Sequence, residues 1–134
     1  MARQPENILS HANATSAQFG APGQWGEHGY THPRLGEVKG KVFLREILGL
    51  SGMEVSLNAL PPGGACSFLH AHKQNEELYV FLSGEGEFQV DGKVFPVEAG
   101  SAVRVAPEGM RAWRPTGSEP LSFLVIQVKA GSLE

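Results

Sequence analysis

The chain is short of several features that would fix its class at once. Its 134 residues include one cysteine, Cys66, so no disulfide can close within it. A reducing, cytoplasmic setting is the expectation. No apolar run approaches the ~18 residues that span a bilayer, so no membrane partner is expected. The opening segment MARQPENILSHANATSAQ lacks the apolar core of a signal peptide. Neither sign of charge dominates: 11 Lys and Arg stand against 14 Asp and Glu, for a net charge of −3. The absence of a basic stripe argues against a nucleic-acid partner. Heptads, repeats and low-complexity tracts are also missing. The glycines follow turns and do not open helices, which excludes a phosphate-binding or dinucleotide fingerprint.

What is abundant is turn chemistry. Seventeen glycines and nine prolines punctuate the chain, as in all-β folds built of short strands. The length suggests a single unit able to bury about two-thirds of its unfolded surface without staples. It reads in two parts. Residues 1–40 are polar and rich in turn formers, with no strand or helix period, and are expected to form an irregular arm; at most a short helix is expected near Pro5 to Ala12. Residues 41–134 carry short β runs: KVFLREIL, MEVSLNAL, ACSFLHAH, ELYVFL, EFQV, KVFPV, AVRVA, RAWR and LSFLVIQV. Turn signals separate them, among them Pro61-Pro62-Gly63-Gly64, Ser83-Gly84, Asp91-Gly92, Ala99-Gly100 and Pro107-Glu108-Gly109. Asp91-Gly92 is the strongest, because a type I′ hairpin turn needs positive φ at both central residues. This rhythm predicts a sandwich or jelly-roll barrel.

Chemistry concentrates in the stretch from Gly64 to Gly84. Side chains alternate along a strand, so His70 and His72 share one face, with Cys66 and Phe68 behind them. The next strand opens with Glu77, and Glu77, Tyr79 and Phe81 share a face. Two imidazoles and a carboxylate that converge in this way suit a divalent first-row metal such as Fe, Mn, Ni or Zn.

The order Gly64, His70-x-His72, Glu77, Gly84 resembles the first motif of the cupins, and every term of that motif is met. Glu77 fits it better than Glu76, because only Glu77 stands at the right distance before Gly84. The resemblance covers about residues 42–128. It implies a double-stranded β-helix with a cavity in the barrel and metal ligands at His70, His72 and Glu77. It implies little about the reaction, because cupins include dioxygenases, decarboxylases, isomerases, epimerases, sugar-binding regulators and storage proteins.

The second motif departs from the family pattern. Aligned without gaps from Gly100, Arg111 stands where a fourth ligand, a histidine, is expected, and Pro115 stands where an asparagine is expected; shifting the turn by one puts Ala112 at the histidine position. Arginine stays protonated and does not bind metals. Three readings stay open. The metal keeps three protein ligands and open positions, the arrangement of non-haem iron oxygenases. Alternatively, Arg111 points inward and holds an anionic substrate with its guanidinium fork. In the third reading Glu77 pairs with Arg111 and no metal binds.

The leading expectation is a metal-dependent enzyme, oxygenase-like or isomerase-like, that acts on a small molecule, an anionic one where Arg111 points inward. Arg111 would orient substrate and Tyr79 would move a proton. Cys66, Phe68, Phe81 and Trp113 would line the pocket. The rival is a binding module without turnover, and a storage protein is the weakest reading. A homodimer is expected, since the edges of such sheets are often covered by a second chain. Gln127 reads as an outward residue of the last strand. Arg104 and Arg114 read as solvent-facing, and His11, His28 and His32 as ordinary loop residues.

Overall fold

The computed structural model describes residues 2–64 and 70–133. Two hairpins occupy the arm. Strands β1 (Glu6–His11) and β2 (Ala14–Gln18) pair antiparallel, then a 3-10 turn spans Pro22–Glu27, and β3 (Gly29–His32) pairs with β4 (Gly36–Lys39). The barrel strands follow: β5 (Lys41–Phe43), a short helix α1 (Leu44–Leu48), β6 (Glu54–Leu60), β7 (Asn75–Ser83), β8 (Glu85–Val90), β9 (Lys93–Glu98), β10 (Ala102–Val105), β11 (Arg111–Pro115) and β12 (Leu121–Lys129).

The all-β expectation is met. A five-stranded sheet in the order β10-β7-β12-β6-β5 faces a three-stranded sheet in the order β11-β8-β9. Their inner faces enclose an aromatic core. Tyr79, Phe81 and Phe123 come from the larger sheet and Phe88 from the smaller, with Trp113 and Phe95 packed against them. Ring centroids lie 4.8 Å apart for Tyr79–Phe88 and 5.0 Å for Phe81–Phe123, the edge-on and tilted contacts that aromatic quadrupoles favour. No helix among the described residues is long and apolar enough to cross a membrane.

Two expectations are corrected here. The arm is not irregular: Glu6–His11 is a strand, where at most a helix was expected, and it pairs with Ala14–Gln18. Most of this hairpin's described side chains are exposed, so backbone pairing forms it without the apolar alternation that marks a half-buried strand. The second correction is at KVFLREIL, which was read as one strand. It breaks after Phe43 into α1, because LREIL is rich in helix formers and Gly49 caps it in the left-handed region at φ 73°.

The arm also packs. Phe19 and Trp25 join Val42, Leu57 and Ala59 in a second apolar cluster on the outer face of the large sheet. Ser122 Oγ donates to Pro22 O at 2.8 Å, and Trp25 Nε1 donates to Gly20 O at 3.1 Å. His28, expected to be an ordinary loop residue, is 1% exposed. Its ring nitrogens lie 3.0 Å from Arg3 O and 2.8 Å from Phe19 O, so one side chain holds two stretches of the arm.

The turn signals act as read. Asp91 and Gly92 adopt φ 50° and 83° between β8 and β9. Gly84 combines φ +85° with a close approach: a Cβ there would sit 2.3 Å from Pro120 O. Gly100 has φ +96° but open space around it. The left-handed conformation alone costs a non-glycine residue about 1–2 kcal/mol. Gly84→Ala is therefore expected to destabilise clearly more than Gly100→Ala in urea unfolding. Equal losses would refute the close-approach argument.

Candidate functional site

The backbone sets the site before the side chains do. Arg111 at the start of β11 exchanges hydrogen bonds with His70 (His70 N to Arg111 O 3.2 Å, Arg111 N to His70 O 3.0 Å). His72 N donates to Pro107 O at 2.9 Å. Both histidines are thus pinned to the edge of the smaller sheet and the turn before it. Glu77 arrives from the other side on β7, opposite Val105 of β10 and Gln127 of β12.

These anchors bring the three side chains together. One ligand atom from each of His70, His72 and Glu77 lies within 4.8 Å of the others. His72 Nε2 is 3.0 Å from Glu77 Oε2. Glu77 is 3% exposed, whereas the His72 side chain keeps 31% of its surface, so the cluster opens toward solvent on the histidine side.

The other carboxylate oxygen is held from behind. Tyr79, fully buried, donates its hydroxyl to Glu77 Oε1 at 2.5 Å. Arg111 Nε stands 3.3 Å from the same oxygen, and Arg111 is 0% exposed. The remaining guanidinium nitrogens donate to backbone, Nη1 to His70 O at 3.4 Å and Nη2 to Ala106 O at 3.2 Å. Arg111 is therefore committed to Glu77 and to two carbonyls. Tyr79 is committed to Glu77 as well.

His70 is pushed below the usual histidine range. Burial is the main cause; the Glu77 carboxylate works against it, and the charges of Arg111, His72 and Lys41 add to it. A ring kept neutral is a ring able to ligate, because metals bind deprotonated imidazole. The residues fit a metal on this structure's own terms. Two imidazoles and Oε2 converge, while Oε1 is fixed by Tyr79 and Arg111, the supporting contact that orients a ligating carboxylate.

Comparison with known families agrees with this geometry. The family model for the cupin domain (Cupin_2) matches residues 56–127, more than half of the chain. The chain is a cupin. A crystal structure of a cupin protein from Bacteroides fragilis is 49% identical to it, over 70% of this chain and 80% of that one, with a TM-score of 0.68. An oxalate-binding protein of Thermotoga maritima is 31% identical over 93 residues, 66% of this chain and 76% of its own. A structure from Acidithiobacillus ferrooxidans, described as a candidate sugar phosphate isomerase, is 27% identical over 66% of this chain and 58% of that one, with a TM-score of 0.61.

The other expected pocket residues of this cupin fall in different places. Trp113 lies against the cluster, its ring edge-on to His70 at 5.7 Å and 5.2 Å from Tyr79. It also stacks on Phe88 at 5.8 Å, so it closes the barrel beneath the triad. Phe81 sits deeper, 0% exposed in the core. Cys66 and Phe68 lie outside the described residues. Arg104 and Arg114 are exposed and pair with Glu76 and Glu87. Gln127, read as facing outward, lies directly opposite Glu77 and so shares its face.

A polar wall went unread. Ser56 and Asn58 of β6 are buried (1% and 5% exposed) and lie opposite the core residues Val125 and Phe123. Lys41 of β5 lies opposite Asn58, and its Nζ donates to Asn58 Oδ1 at 2.9 Å. Direct cross-strand partners share a face, so these side chains belong to the barrel interior. The available signal was EVSLNAL itself, a strand whose polar set alternates with an equally buried apolar set.

Proposed function

We propose that this cupin holds a divalent first-row metal through His70, His72 and Glu77 and acts on a small, oxygen-rich anion at the mouth of the barrel. The observation that carries this reading is the convergence of three ligand atoms within 4.8 Å at a partly open edge. The substrate class is supported by two relatives, one described as oxalate-binding and one as a candidate sugar phosphate isomerase. When bound, the metal would polarise a substrate oxygen as a Lewis acid. Tyr79 and Arg111 aim the Glu77 carboxylate, and Trp113 keeps the barrel floor dry. The finer assignment is a metal-dependent isomerase-like or oxygenase-like enzyme.

Elemental analysis of untagged protein beside His70→Ala tests the metal. The expected result is about one equivalent of a first-row metal, lost in the variant while the fold is retained. Equal metal content in both would sink the reading. One observation favours a second reading: the Glu77–Arg111 pair gives the carboxylate a cation of its own. On that reading the chain is a metal-free binding barrel, and wild-type protein stays metal-free even after reconstitution.

A further inference from the structure

Arg111 touches two of the three members of the triad. Its backbone exchanges hydrogen bonds with that of His70 at 3.2 and 3.0 Å, and its Nε stands 3.3 Å from Glu77 Oε1. The guanidinium is 0% exposed, so solvent does little to screen its charge, and arginine does not shed its proton. Donation from Nη1 to His70 O and from Nη2 to Ala106 O holds it in place. The carboxylate of the triad therefore comes with a fixed, buried cation already attached to it.

Tyr79 holds the same oxygen without a charge, its hydroxyl donating to Glu77 Oε1 at 2.5 Å. The other oxygen, Oε2, faces His72 Nε2 at 3.0 Å. Tyr79 and Arg111 thus act on a metal with opposite sign. A neutral donor that fixes a ligating carboxylate raises metal affinity, and losing such a partner typically costs about 10–100-fold. A unit cation near a divalent ion lowers that affinity through Coulomb repulsion, which is strongest where water is excluded. Orientation of Oε1 is already supplied by Tyr79, so the charge of Arg111 decides its net effect.

We propose that Arg111 sets the metal affinity of this site. It matches the charge of Glu77 and takes up Oε1, so the ion is left with Oε2 alone and is held less tightly than the same three ligands would hold it without the cation. The proposal rests on the metal reading above, and the experiment separates the two.

Full-length wild type, Arg111→Gln, Arg111→Met and Tyr79→Phe, each checked for fold by circular dichroism, are titrated with Mn²⁺ by calorimetry. Both Arg111 variants are expected to bind Mn²⁺ at least about ten-fold more tightly, since the cation is gone. Tyr79→Phe, which removes only the hydroxyl, is expected to bind it about ten-fold more weakly. A role confined to supporting the fold would not tighten binding. Unchanged or weaker binding in the folded Arg111 variants overturns the proposal and leaves the metal reading standing. Binding confined to the Arg111 variants supports the proposal and overturns the metal reading for the wild type. No binding in any of the four proteins overturns both.

A measurement on wild type needs no variant to fold. In the Mn²⁺-induced infrared difference spectrum of ¹³C-glutamate-labelled protein, ligation through Oε2 alone gives a widely split pair of carboxylate bands. A narrowly split pair, the signature of both oxygens on the ion, overturns the proposal.

Discussion

Glu77→Ala is expected to lower the free energy of unfolding by about 3–5 kcal/mol, the usual cost of removing one partner of a buried ion pair. The reason is Arg111. With Glu77 gone, a guanidinium that is 0% exposed keeps its two carbonyl contacts but loses its only anion among the described residues. The Tyr79 hydroxyl loses its acceptor on Oε1 in the same stroke. His70→Ala leaves no such charge behind, so the two variants separate a ligand that also supports the fold from one that does not. Urea unfolding of the metal-free proteins reads the difference. The double variant Glu77→Leu/Arg111→Met should recover most of the loss, since well-packed apolar replacements of a buried pair are often neutral or better. A loss below about 1 kcal/mol for Glu77→Ala would show that the pair is not buried as described.

Removal of residues 1–40 is expected to leave a barrel that aggregates or melts far below the full chain. The apolar patch formed by Val42, Leu57 and Ala59, with Leu44, Ile47 and Leu124 beside it, is covered by Phe19 and Trp25 from the arm. Truncating one large buried aromatic side chain typically costs about 3–5 kcal/mol, and Phe19 and Trp25 are both buried. Stripping both approaches the whole stability of an ordinary domain, ~5–15 kcal/mol. The check is solubility and melting temperature of residues 41–134, with Trp25→Ala in the full chain as the milder case. A soluble fragment melting within a few degrees of the full chain would show that the arm is an ornament.

Much of the barrel was legible because strand, turn and motif signals agreed. Asp91-Gly92 demanded a tight hairpin, and positive φ at both residues provides it. The spacing of His70, His72, Glu77 and Gly84 identified the triad, and the backbone bridge between His70 and Arg111 shows why Arg111 arrives beside it. The open choice at Arg111 needed coordinates, because sequence cannot say whether a guanidinium faces a ligand or a carboxylate. Its contacts with Glu77, His70 O and Ala106 O support the reading in which the guanidinium faces the carboxylate.

What escaped the sequence has a common physical cause. A strand buried on one face alternates cleanly, but β6 is buried on both. Leu57 and Ala59 lie under the arm, while Ser56 and Asn58 look into the barrel. The alternation is present, yet its usual meaning is reversed: the polar set faces the interior and the apolar set faces a cover. The arm failed for the opposite reason. Hairpin β1–β2 is exposed on most of its surface, so no periodicity was required of it, and its folding is recorded in backbone pairing alone.

The placement of His28 bears on how the arm would let go. Its ring lies against the chain 25 residues before it and nine before it, at Arg3 and Phe19. Segments held only by their own neighbours fray from the end, a few residues at a time. Here the contacts of the first residues and of the Phe19 cluster meet on one side chain, so neither can open fully while that ring stays seated. The stretch from Arg3 to His28 is thus expected to open as one unit, its backbone amides exchanging with solvent together rather than in sequence from the terminus.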